Sequence, residues 1–191
     1  MDNTVKNYTV SIFTENQIGL LAQISNVFTR RNLSIWSLSA GASSIEGIHN
    51  ITIITEATER RIREAVLQIE KRVDVVKAFY YTDEQIVYRE LALYKVPTDK
   101  LLDGGNLEDL LSRNNARIVE MNRTFTVIQK TGHTHETQCL YEELQEVGVL
   151  QFVRSGRIAL SRSSQEPVQG FLRERQAEKE RRRAERDKQE R

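Results

Sequence analysis

The sequence predicts an α+β protein of two ferredoxin-like βαββαβ domains, one over residues 5–81 and one over 86–162, followed by a charged tail over 166–191. Three observations carry that expectation. Short runs alternate apolar and polar residues at period two, as half-buried strands do, and between them lie stretches with apolar residues three and four apart, as in amphipathic helices. The order of these patterns, strand–helix–strand–strand–helix–strand, occurs twice along the 191 residues. Such a chain closes as one antiparallel sheet with both helices on one face, because its crossovers are right-handed. The repetition is one of pattern, without convincing residue-level identity between the halves.

In the first half, Val10 and Ile12 alternate with Thr9, Ser11 and Phe13 in a strand starting at Tyr8. Residues 14–19 break the alternation. Leu20, Leu21, Ile24, Val27 and Phe28 then form the apolar stripe of a helix. Arg30 and Arg31 fall in its last turn, where cations suit the dipole, and Asn32 is suited to end it. Residues 33–42, with Ile35, Trp36 and Leu38, read as a second strand, and residues 48–55, rich in β-branched side chains, as a third. Thr58 precedes a second helix carrying Ile62, Ala65, Val66 and Ile69, and residues 73–81 complete the module as a fourth strand.

Thr82 to Gln85 form a short polar linker, after which the order repeats. Residues 88–96 read as a strand, 97–105 as a loop containing Pro97 and Gly104-Gly105, and Leu107, Leu110 and Leu111 as a short helix. Residues 116–123 and 124–131 read as a hairpin, 134–146 as a helix with Leu140, Leu144 and Val147 on one face, and 149–154 and 157–162 as extended chain. Each half is near the lower size limit for a stable core, and a sheet covered on one face has another to bury or solvate, so oligomerisation is expected. The tail carries nine Lys or Arg and six Asp or Glu between Arg173 and Arg191 and has no apolar stripe. It reads as a solvated helix or disordered segment, with a partner-binding or RNA-binding role as the alternative.

Composition narrows the function. Hydrophobic residues make up 39% and charged residues 29%, and the formal net charge is +1, so no global field argues for nucleic acid or membrane. The lone Cys139 excludes an intrachain disulfide and fits a reducing compartment. With no signal-peptide pattern and no apolar run near the roughly 20 residues needed to span a bilayer, a cytoplasmic location is expected.

No catalytic set is evident. His135 and Cys139 stand four apart and could share a helix face with a metal, but no fourth ligand follows at a recognised spacing and Cys139 suits packing equally well; no metal site is assigned. Gly104-Gly105 lacks the Lys-Ser/Thr of a phosphate loop. The segment from Glu15 to Leu21 is more informative: a strand ends, Gly19 follows, and a helix begins whose first N–H groups lack intrahelical partners and attract a carboxylate. Asn16 has an amide that suits an amino-acid head group, and Gly19 permits close approach. The same spacing also serves a plain strand-to-helix turn, with Gly19 chosen for its dihedral angles.

Read together, several segments resemble one family. The pattern Glu15-Asn16-x-x-Gly19-x-Leu21, then Phe28-x-x-Arg31, then Ile35-x-Ser37-Leu38, resembles the opening of ACT domains, most closely those of the small regulatory subunit of acetolactate synthase. Val73-Asp74-Val75, the run from Arg89-Glu90-Leu91 to Val96, and Arg154-Ser-Gly-Arg-Ile-Ala-Leu-Ser-Arg162 are further anchors in the same order. The resemblance implies a non-catalytic subunit that binds and activates a catalytic large subunit and confers feedback inhibition by branched-chain amino acids, usually valine. It implies a homodimer through the ACT domains with the effector at their interface. It also implies no cofactor in this chain, with thiamine diphosphate, magnesium and FAD held by the large subunit, and no membrane or nucleic-acid partner.

By position, the effector residues are then Asn16, Gln17, Ile18, Gly19, Leu20, Ser34 and Ile35, with Ser39 and Gly41 on a strand the family ties to feedback sensitivity. At Ser34 the family usually has Asn, so a shorter hydroxyl replaces an amide, and the departure bears on ligand affinity or selectivity, with weak or altered feedback as the alternatives to normal inhibition. The tail inherits nothing from the family. A free-standing ACT-type sensor is the alternative, and a metal protein using His133, His135 and Cys139 a more distant one.

Overall fold

The computed structural model describes residues 4–103, 107–164, 168, 170 and 171; apart from those last three positions, the tail expected over 166–191 lies outside the described residues. The first half runs β1 (Lys6–Glu15), α1 (Leu20–Arg30), β2 (Ser37–Ala42), β3 (Ile48–Ala57), α2 (Glu59–Glu70) and β4 (Val75–Tyr81). Its strands lie in the order β2-β3-β1-β4, each pair antiparallel. Val10 faces Ile53 and Ile12 faces Ile51 in register. These four side chains meet Ile24, Val27 and Phe28 of α1 and Ile62, Ala65, Val66 and Ile69 of α2 in one buried cluster. The helical stripes therefore seal one face of the sheet, as their spacing predicts.

α1 ends in a Schellman motif. Asn32 takes the left-handed conformation at φ +52°, its N–H donates to the Thr29 carbonyl at 3.0 Å, and the Leu33 N–H reaches back to the Phe28 carbonyl at 2.9 Å. Leu33 and Phe28 are both in the core, the apolar contact that accompanies this motif. This geometry corrects the expected start of the second strand. Leu33 turns inward as the apolar plug of the helix end, so β2 begins at Ser37. Residues 34 and 36 are tied to β3 individually, by the Thr55 hydroxyl donating to the Ser34 carbonyl and the Trp36 N–H donating to the Ile54 carbonyl.

A 3-10 turn (Asp83–Gln85) closed by a capping box leads into the second half. It runs β5 (Ile86–Pro97), α3 (Thr98–Asp103), α4 (Leu107–Arg113), β6 (Ala116–Met121), β7 (Phe125–Gly132), α5 (Thr134–Gln145), β8 (Gln151–Arg154) and β9 (Ile158–Ser161). The sheet order is β6-β7-β5-β8, and β9 continues the β8 edge by pairing with the first residues of β5. A second core gathers Ala92, Tyr94, Val96, Leu101, Ile128, Leu140 and Leu144. The expected loop after Pro97 is instead a helix, α3, over Thr98–Asp103. Pro97 ends the strand immediately before it, where a proline leaves helical hydrogen bonds intact, and Leu101 is drawn into the core.

Tyr94 is fully buried there and donates its hydroxyl to the Thr137 carbonyl at 2.6 Å. Burial pushes the phenol up to about 12, against a smaller downward pull from the Arg154 cation. The folded state thus holds this proton more tightly than the unfolded chain, so its contribution is complete below pH 10 and is lost as pH rises from 10 towards 12. Urea midpoints of the second half are expected to fall across that window in the wild type. Tyr94→Phe should flatten the fall at a cost of about 1 kcal/mol near neutrality.

The two sheets are joined through the open face of the first. Thr9, Ser11 and Thr52 alternate with the core residues of their strands and so point away from the helices, yet all three are buried. Cavities lie on this side, two of them against β9. One of about 610 Å³ is bounded by Ser39, Gly41 and Thr52 on one side and Ile158, Ala159 and Leu160 on the other. The second, about 530 Å³, lies between Ser11, Phe13 and Tyr81 and the stretch from Ala159 to Ser161. Among the described residues, no helix is long and apolar enough to cross a membrane.

Candidate functional site

The break between β1 and α1 forms a small concave site. The Glu15 N–H is fixed to the Asp74 carbonyl at 3.0 Å, which ends β1 against the start of β4. The chain then turns through Asn16, Gln17 and Ile18, all exposed, to Gly19 at φ +83° and ψ −2°. That left-handed conformation is the one glycine adopts without cost. A Cβ built on Gly19 would meet nothing within 4 Å, so the residue also leaves open space. The turn needs the dihedral angles of this glycine, and the space beside it is open.

α1 begins at Leu20, three residues later than a helix following Asn16 directly. Its first turn contains no acidic side chain, so the positive end of the helix is left uncompensated by its own residues. The adjoining cavity, about 140 Å³, is lined by Thr14, Glu15, Asn16, Gln17, Gly19, Leu20, Leu21, Ala40, His49 and Ile51. Backbone donors and the Asn16 and Gln17 amides thus stand on one side, and Ala40 and Ile51 form an apolar floor. Ordinary small-molecule pockets are roughly 300–1,000 Å³. The concavity of one chain is about half the lower bound, and β2, which supplies Ala40, is an edge strand with no paired strand on its outer side among the described residues.

Of the residues singled out by sequence, Asn16, Gln17, Gly19 and Leu20 line this cavity. Ile18 belongs to the same turn but projects fully into solvent, and Leu20 is largely committed to the core. Ser34 and Ile35 lie away from the cavity, in the connection from α1 to β2, with Ile35 packed against the first core. Ser39 and Gly41 face the opposite side of β2 and line the cavity against β9. Sequence reasoning missed Ala40, His49 and Ile51. They are brought to the turn by strand register, with His49 opposite both Thr14 and Ala42. A single histidine at the head of a β-branched run is the one signal that pointed there.

The soft-ligand cluster does not assemble. The His133 and His135 rings stack at 5.9 Å between centroids, His133 Nε2 lies 2.9 Å from the Arg89 guanidinium, and Cys139 is exposed on α5. No group of three or more His, Cys, Asp or Glu among the described residues could hold a metal ion.

Comparison with known proteins gives a consistent picture. A family model described as the small subunit of acetolactate synthase matches residues 89–163, and one described as the small-subunit-like ACT domain of AHAS matches residues 10–77. The acetolactate synthase small subunit of Bacillus subtilis is 30% identical over 161 residues, covering 82% of this chain and 91% of that protein. That of Mycolicibacterium smegmatis is 28% identical over 162 residues, covering 85% and 95%. The crystal structure of the small subunit from Thermotoga maritima superposes with a TM-score of 0.75 at 26% identity, covering 84% of this chain and 99% of that one.

Proposed function

The chain belongs to the acetolactate synthase small-subunit family, and from that membership we propose that it is a non-catalytic regulatory subunit. In this reading it binds and activates the catalytic large subunit and conveys feedback inhibition by a branched-chain amino acid, valine foremost. The thiamine diphosphate, magnesium and FAD chemistry belongs to that partner. The observation that carries the effector site is the open left-handed Gly19 at the uncompensated start of α1, beside an apolar floor. The amino-acid carboxylate faces the N-terminal end of α1 beyond Leu20, whose own N–H donates to the Gln17 carbonyl; the ammonium group meets Glu15 and the Asn16 side-chain carbonyl, and the branched side chain rests on Ala40 and Ile51. A cavity this small and open on one side is half of a site. A second copy of the chain, joined across β2, closes it and brings its own Ser34 and Ile35 to the ligand.

Inhibition requires that the effector bind one arrangement of the assembly better than another, and a coupling of ~1–3 kcal/mol corresponds to a roughly 5–150-fold preference. Reconstitution tests the whole reading. The chain is mixed with its large subunit, and acetolactate formation is measured with and without valine, leucine and isoleucine. Faster turnover on mixing and a fall with at least one amino acid are expected. No activation and no response would overturn the assignment and favour a free-standing ACT-type sensor.

A further inference from the structure

β2 is held between two different surfaces. Its Ala40 side forms part of the floor of the effector cavity. Its other side, through Ser37 and Ser39, meets the turn between β8 and β9 of the C-terminal domain. Gly156 approaches so closely that a Cβ there would stand 2.9 Å from the Leu38 carbonyl oxygen and 3.0 Å from the Ser39 Cβ. The Arg157 N–H donates to the Ser37 hydroxyl at 3.3 Å.

The Arg157 side chain then enters the open face of the first sheet, 7% exposed. Its Nη1 donates to the Thr9 hydroxyl at 3.0 Å and to Asp83 Oδ1 at 2.7 Å, and its guanidinium carbon lies 3.5 Å from the centre of the Tyr88 ring. One residue of the C-terminal domain thus grips β1 and β2 of the sensor, the linker, and the first strand of its own domain. Only a planar, delocalised cation makes those contacts together, since an ammonium group has neither the fork nor the stacking face.

We infer that the Gly156–Arg157 turn and β2 form the relay by which effector occupancy in the N-terminal domain is communicated to the C-terminal domain. The inference rests on the regulatory reading above. A ligand seated on Ala40 moves β2 where Leu38 and Ser39 touch the turn, so Gly156 and Arg157 move with it. Close contact at that one point, backed by the Arg157 grip on β1 and the linker, is what carries a small displacement of β2 into the second domain. Neither residue touches the effector cavity, so both act by positioning.

The test uses the reconstituted holoenzyme with two variants. Arg157→Ala removes the grip. Gly156→Ala leaves the arginine in place and forces β2 and the turn apart. Valine, leucine and isoleucine are titrated calorimetrically into the free chain and into the holoenzyme, alongside assays of acetolactate formation. In the wild type, the effector binds free chain and holoenzyme with different affinities, because linkage is reciprocal. In either variant the two affinities are expected to converge, activation to persist, and half-inhibition to require roughly tenfold more effector. A role confined to folding would instead weaken effector binding to the free chain. Either that result or wild-type inhibition in a folded variant overturns the relay. A wild-type holoenzyme that ignores all three amino acids overturns the regulatory reading and the relay with it.

Discussion

A Gly19→Asp chain is expected to activate its large subunit as the wild type does and to make the holoenzyme indifferent to valine. The residue sits at φ +83° with open space where a side chain would go, so the aspartate is accommodated sterically. An L-residue in this left-handed conformation costs roughly 1–2 kcal/mol, and Asp is among the residues that tolerate it best. Its carboxylate then occupies the ground in front of the first turn of α1, the place proposed for the effector carboxylate. Two like charges about 4 Å apart repel by about 4 kcal/mol at an effective dielectric of 20, or close to a thousandfold in affinity. Gly19→Ala separates the causes, because it carries the backbone strain without the charge and should retain most of the valine response. If the Gly19→Asp holoenzyme were as valine-sensitive as wild type, the turn would not be the effector site.

Phe28→Ala should have the largest effect on stability. Phe28 is completely buried between α1 and the first sheet, and its own carbonyl receives the Leu33 N–H that ends the helix. Truncating a buried phenylalanine costs about 3–5 kcal/mol. At roughly 0.05–0.15 kcal/mol per residue, a module of this size has about 4–11 kcal/mol in all. The two cores are separate clusters, so the loss should fall on the N-terminal module. A melting curve is expected to split, with an early transition at least 10 °C below the wild-type one, as each kcal/mol moves a domain of this size by about 4–8 °C. A single unshifted transition would mean that the helix is dispensable to the fold.

Much of the first sheet is legible in the sequence because the relevant forces are local. Val10 and Ile12 alternate, Leu20 to Phe28 follow the helical period, and Asn32 ends the helix by the left-handed conformation for which asparagine is suited. Misreadings occur where one apolar residue serves two structures. Leu33 counts towards a strand by pattern but plugs the end of α1 in space, and Leu101 follows a proline that reads as a loop yet belongs to a helix packed on the second core.

The site divides the same way. Asn16, Gln17 and Gly19 are contiguous and could be found by spacing. Ala40, His49 and Ile51 depend on the register of β1, β2 and β3, which are far apart along the chain. Gly156 is visible in sequence as part of a signature, but its reason is tertiary: only the position of the Leu38 carbonyl shows that no side chain fits.

β2 has one more consequence. Its sequence, Ser-Leu-Ser-Ala-Gly-Ala, contains no lysine, glutamate or proline, and it forms the edge of its sheet. Edge strands are usually guarded by charge, proline or a bulge, because bare backbone groups recruit other chains. In the proposed homodimer this bare edge is covered by the same edge of a second copy, and apart from that it has no gatekeeper. A chain separated from its copy presents that edge as a template for strand addition. Self-pairing would then protect this chain from aggregation as well as completing a ligand site.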